Sequence, residues 1–353
     1  MWPKRDLIDL LQIEHPILQA PMVGAATPAM AAAVSAAGGL GGLGCGSINA
    51  EAIRAEVDDL RSMTNRPYNL NFFVHPEPET KPEIDAATAA RVQPFYDANG
   101  LGQAPTTSVA AYPSFSATTL DLLLELRPAV VSFHFGAPEL HVTKALHDAG
   151  CIVLSSATTV AEARALEAAG MDAIIAQGWE AGGHRGSFDV SFEDAGVGTL
   201  ALVPQIVDAV SVPVIAAGGI ADGRGIAAAF ALGASGVQIG TAFLSAPESK
   251  INDNHRAALR TASDDSTRLT RAFSGRAARA HNTDYIEAMN RERAALPDYP
   301  AMYSFSDPLR KTGKPELQFM LYGQAAAMNR DLPATELMAW LIEDTAAVLR
   351  RLS

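Results

Sequence analysis

Along the chain, short apolar runs rich in β-branched residues alternate with alanine-rich segments whose apolar positions recur every three or four residues. That alternation predicts parallel strands joined by crossover helices. The runs PILQAPM, GLGGLGCG, YNLNFF, AVVSFHFG, CIVLSSA, DAIIAQG, PVIAAGG and GVQIGTAFL are the strand candidates. Eight of them predict a closed (β/α)8 barrel, the TIM-barrel architecture of the α/β class. The segments TPAMAAAVSAAG and TVAEARALEAAG each begin on a capping threonine, Thr27 or Thr159, and end on glycine, as helices do.

Two stretches break the rhythm. HPEPETKPEIDAATAARVQPFYDANGLGQAP, after the third run, is polar and rich in proline, which predicts a long excursion over one barrel end. A second stretch follows the eighth run and mixes helical with irregular segments, as a smaller substrate or lid domain would. The expected division is a barrel over residues 1–246, completed by 323–353, with the smaller domain at 247–322. ATELMAWLIEDTAAVLRRL has helical spacing and is expected to close the barrel.

Composition narrows the function classes. With 48% hydrophobic and 19% charged residues in 353, the chain is globular rather than disordered. A net charge of -12 and no basic stretch argue against nucleic-acid binding. No run reads as a membrane span or as a secretory segment, so a cytoplasmic protein is expected. Two cysteines, Cys45 and Cys151, support neither a disulfide framework nor a cysteine-rich metal site. His141 and His147 do not share a helix face, and no HExxH occurs; no metal is expected. There is no GxSxG elbow for a serine hydrolase.

The chemistry-bearing residues gather at the ends of the runs. Gly39, Gly41 and Gly44 satisfy GxGxxG, but they follow a helix and form the second strand, which predicts close packing rather than a dinucleotide site. Gly218 and Gly219 end the seventh run, and Gln238, Ile239, Gly240 and Thr241 end the eighth. The loops after these strands commonly hold a phosphate against open backbone amides, so these residues are cofactor-binding candidates. Gln177 ends the sixth run, and Gly182 and Gly183 in the loop beyond it offer amides to a ligand; His184 and Arg185 stand beside them without an assigned role. Asn71 is preferred over the deeper Asn69 as a contact for a polar ring edge. His134, in VVSFHFG, sits between two phenylalanines at a barrel mouth. Desolvation would keep its imidazole neutral and able to take a proton near pH 7.

ILQAPM, NLNFF, VSFHFG, AQGWEAGGHRG, VIAAGGIADGRGI, VQIGTAFL, FSGRAARAHN and LPDYPAMY follow one another in order over nearly the whole chain. Together they resemble the class I nitronate monooxygenases, formerly called 2-nitropropane dioxygenases. The resemblance implies a noncovalent FMN, its phosphate held at Gly218-Gly219 and Gln238 to Thr241, its ring lined by Met22, Asn71, Gln177, Gly182 and Gly183. It implies His134 as catalytic residue, abstracting the α-proton of a nitroalkane or hydrogen-bonding a nitronate. It implies oxidation by O2 to a carbonyl compound and nitrite, without a nicotinamide. Tyr299 and Tyr303 match the substrate-binding tyrosines of members that favour propionate 3-nitronate, whereas Asp307 stands where those members carry lysine. An aspartate there would repel a substrate carboxylate, and Lys311 is the nearest basic substitute.

Two rivals stand beside this reading. An FMN-dependent NAD(P)H quinone or enoyl reductase would use the same barrel but bleach with NADH. A non-catalytic flavin-binding protein would keep the cofactor and lose nothing on His134→Ala. A barrel with a catalytic cysteine after its sixth strand, like the inosinate dehydrogenases, is excluded because Gly182 to Ser187 contains none.

Overall fold

The computed structural model describes residues 2–191, 195–291 and 295–352. Eight parallel strands form the barrel: β1 (Ile17–Gln19), β2 (Gly41–Gly44), β3 (Tyr68–Phe73), β4 (Val130–His134), β5 (Ile152–Ala157), β6 (Ala173–Gln177), β8 (Val214–Ala217) and β9 (Gly236–Ile239). Each falls within one of the predicted runs. The sheet order is β1-β9-β8-β6-β5-β4-β3-β2, and the Leu18–Leu40 bridge brings β1 back to β2. The fold is thus the expected α/β barrel. The helix Asp6–Leu11 sends Leu7 and Leu11 into the layer of Leu18, Leu40, Val130, Leu154 and Ile215.

The predicted helices form with their predicted caps. Thr27 accepts from the Met30 amide and Thr159 from the Glu162 amide. The glycines of β2 serve packing: a Cβ on Gly41 would lie 2.0 Å from the carbonyl oxygen of Ala31. The terminal helix Ala334–Leu352 packs on the helix Gly223–Ala231, where Asp344 accepts from the Gly223 amide at 2.8 Å.

A second layer covers the C-terminal rim. β7 (Gly183–His184), in the loop after β6, joins β10 (Thr267–Thr270) and β11 (Ala278–His281) in a three-stranded antiparallel sheet. The segment after the barrel is thereby stitched to the rim. Its hydrophobic core draws on both interruptions of the sequence: Phe273, Tyr285, Met302 and Phe305 pack with Val92 and Tyr96. Those last two lie on a 17-residue helix, Pro82–Ala98, inside the proline-rich excursion. Tyr96 donates to the carbonyl of Phe305 at 2.9 Å, so the excursion is built into this layer.

Candidate active site

The barrel mouth and the second layer enclose a cavity of about 550 Å³, within the size range of cofactor sites. Met22, Asn71, Gln177, Gly182 and Gly183 line one part of it, and Gly218, Gly219, Gln238, Gly240 and Thr241 another. Ile239 does not line it. Strand alternation turns its side chain outward, into the layer between strands and helices, and leaves Gln238 and Gly240 toward the cavity.

The glycines create room and curvature. Gly218 and Gly219 adopt φ of 105° and 73°, which glycine alone enters without strain. A Cβ on Gly182 would lie 2.4 Å from the Gly323 amide nitrogen, so this strand edge requires glycine to meet the returning chain. Gly323 in turn donates to Thr241 Oγ1 at 2.9 Å. Asn71 is held by Ser132, donating to its hydroxyl at 2.9 Å, and Asn69 donates to the same hydroxyl from one layer below.

The opposite wall is aromatic. Tyr299 and Tyr303 cluster with Phe135, flanked by Phe73 and Tyr112. Phe135 holds φ of 75°, an outlier for a bulky residue. Its ring lies 3.8 Å from the Arg276 guanidinium. Arg276 also donates to the backbone carbonyls of Arg185 and Ser187, fixing the loop that follows β7.

Two histidines meet at this wall, and their hydrogen bonds define their tautomers. His134 Nε2 faces the carbonyl oxygen of His184 at 3.0 Å. A carbonyl only accepts, so Nε2 carries the proton and Nδ1 is the lone pair that accepts from the Ser156 hydroxyl. Both ring nitrogens of His134 are therefore engaged. His184 Nε2 lies 2.9 Å from Ser274 Oγ, whose own proton goes to the carbonyl of Arg276. His184 accordingly donates through Nε2, and its Nδ1 lone pair has no protein partner among the described residues. Burial pulls His134 down to about 4 and His184 to about 3, with Arg276 and, for His184, Arg310 adding to the effect. Both imidazoles are neutral at pH 7.

Gln177 ties the site together: its side chain donates to the His184 carbonyl at 3.0 Å and accepts from the Gly186 amide at 2.8 Å. A Cβ on Gly186 would come within 2.8 Å of Ser156 Oγ and 3.0 Å of the His134 ring. Burial pushes the Tyr299 and Tyr303 hydroxyls upward, so both stay protonated.

Position 307 differs from the expectation of simple repulsion. Asp307 accepts from Arg310 Nη1 at 2.6 Å, and Arg310 lines the cavity. Lys311 is exposed and does not line it; its neighbour Arg310 does, as does Lys250. Ser156, Arg276 and Arg310 were missed by sequence reasoning. Ser156 had a signal, since its place near the end of β5 puts it at the rim. The two arginines had none, because the second layer carries no regular periodicity.

The model of the nitronate monooxygenase family matches residues 4–344. A nitronate monooxygenase of Pseudomonas aeruginosa is 45% identical over 342 residues, covering 95% of this chain and 97% of that one. One of Paraburkholderia phytofirmans is 43% identical, covering 96% and 94%. Among solved structures, the nitroalkane oxidase of Streptomyces ansochromogenes superposes with a TM-score of 0.89 at 39% identity, covering 99% of this chain and 100% of that one. FabK from Thermotoga maritima follows at a TM-score of 0.76 and 30% identity, covering 100% and 99%. A barrel whose rim carries this histidine pair, over a chain matched almost end to end, belongs to the nitronate monooxygenase family.

Proposed function

We propose that this enzyme uses FMN and O2 to oxidise alkyl nitronates, and neutral nitroalkanes after deprotonating them, to a carbonyl compound and nitrite without NAD(P)H. The observation that carries the reading is a neutral imidazole, His184, with no protein partner at Nδ1 among the described residues, set among aromatic rings of the cavity wall beside a glycine-lined cradle. The cradle suits FMN: the glycines leave space where side chains would stand, and Asn71, Gln177 and Gln238 bring polar groups to a planar heterocycle. When bound, the flavin supplies an acceptor for the nitronate's electrons and a donor to O2.

The residues divide the remaining work. Gly218, Gly219 and the backbone from Gln238 through Ile239 and Gly240 to Thr241 would hold the phosphate end. Met22, Asn71, Gln177, Gly182 and Gly183, which line the cavity, would line the ring. Tyr299 and Tyr303 shape the substrate wall with donor hydroxyls. For a neutral nitroalkane the Cα–H bond breaks, its electron pair forms the C=N bond of the nitronate while the N=O π pair moves onto oxygen, and the proton goes to His184 Nδ1. The imidazolium so formed is stabilised by the anion created beside it. We assign this proton to His184 rather than to His134, the residue named from the sequence, because both nitrogens of His134 face protein partners. Residues 1–246 with 323–353 form the cofactor barrel in this account. The covering layer comprises 247–322 together with the helix Pro82–Ala98.

The test is product analysis under air with propyl nitronate and no nicotinamide. Nitrite and propanal in equal amounts support the proposal; no nitrite refutes it.

A further inference from the structure

We propose that His134 is a positioning residue: its Nε2–H holds the His184 carbonyl and so places the His184 ring for proton transfer. The inference rests on the proposed role of His184 and goes beyond it. The hold is built from several directions. Ser156 donates to His134 Nδ1, which leaves Nε2 as the donor toward the carbonyl. Gln177 gives the same carbonyl its second hydrogen bond at 3.0 Å. On the following residues, Arg276 donates to the carbonyls of Arg185 and Ser187, and the Arg185 amide donates to Ala277 at 2.8 Å. Gly186 packs where a side chain would strike both His134 and Ser156. Two donors on one carbonyl fix the backbone from which the His184 ring projects, and the hydrogen bond between its Nε2 and Ser274 at 2.9 Å then sets the ring's orientation.

This role needs a donor at the Nε2 position and no proton acceptance. His134→Gln retains such a donor and is no base, whereas His134→Phe keeps the bulk and removes the donor. The direct test is nitrogen NMR of the flavin-loaded protein carrying 15N-labelled histidine. The wild type should show His134 with a protonated Nε2 and an unprotonated, hydrogen-bonded Nδ1. The His184 signals should shift in His134→Phe and return in His134→Gln. In turnover of neutral nitroethane, His134→Phe should lose about a hundredfold, the scale of an ångström-level misplacement. His134→Gln should keep most of the activity and the wild-type pH profile. A wild-type His134 protonated at Nδ1 overturns the proposal, as do His184 signals indifferent to His134→Phe. So does a loss in His134→Gln as deep as in His134→Phe, which makes His134 itself the proton acceptor. The NMR arm reads the contact whether or not nitronates are the substrates, so failure of the functional reading is seen separately.

Discussion

His134 Nε2 stands 3.0 Å from the carbonyl oxygen of His184, and this contact links two imidazoles that share one cavity. The first has both nitrogens hydrogen-bonded to protein; the second has no protein partner at Nδ1 among the described residues.

Replacing the second should discriminate between substrates. In His184→Gln, turnover of neutral nitroalkanes should fall about 10²- to 10⁴-fold, the usual worth of a general base. Preformed nitronates, which need no deprotonation, should lose far less. Steady-state kinetics on nitroethane and ethyl nitronate check this; equal losses on both would make His184 an anion partner instead.

The pH profile follows from the same burial. Because the free His184 titrates at about 3 rather than 6.5, kcat/KM for a neutral nitroalkane should show no acid limb near pH 6.5. Stability should show the change there instead. Between pH 6.5 and about 4 the unfolded chain binds protons at His134 and His184 that the folded chain refuses. Stability therefore falls as pH falls, by on the order of 1.4 kcal/mol per pH unit for each histidine. Urea midpoints at pH 7 and pH 5 measure it; unchanged midpoints would mean that the imidazoles are solvated.

At the cofactor end, Gly182→Ala places a methyl against the backbone of Tyr322 and Gly323. The strand edge must shift, at a cost of about 1–3 kcal/mol. Flavin titration should find FMN bound at least about fivefold more weakly. Unaltered affinity would remove this edge from the cofactor site.

Arg310 brings positive charge to the mouth while holding Asp307. Arg310→Gln should raise KM for nitronates severalfold and leave KM for neutral nitroalkanes nearly unchanged. Added salt should weaken nitronate capture in the wild type more than in the variant. Identical KM for both substrate forms in the two proteins would exclude the guanidinium from substrate attraction.

The barrel was legible because each strand is a short apolar run and each crossover helix carries its own cap, as at Thr27 and Thr159. Rim residues such as Asn71, Gln177 and Gly219 could be named for the same reason: the end of a strand locates the mouth. The helix Pro82–Ala98 was hidden by its prolines, including Pro94 within it, and by alanines that mark no face. The division of labour proposed for His134 and His184 could not be read at all. It depends on which atoms face Ser156 and Ser274, and those serines come from β5 and from the segment between β10 and β11.

The most direct measurement is the visible spectrum of the flavin-loaded protein under anaerobic conditions, with propyl nitronate in one cuvette and NADH in another. Nitronate should bleach the flavin and NADH should not. Bleaching by NADH with no response to nitronate would contradict the proposed function and make the protein a reductase.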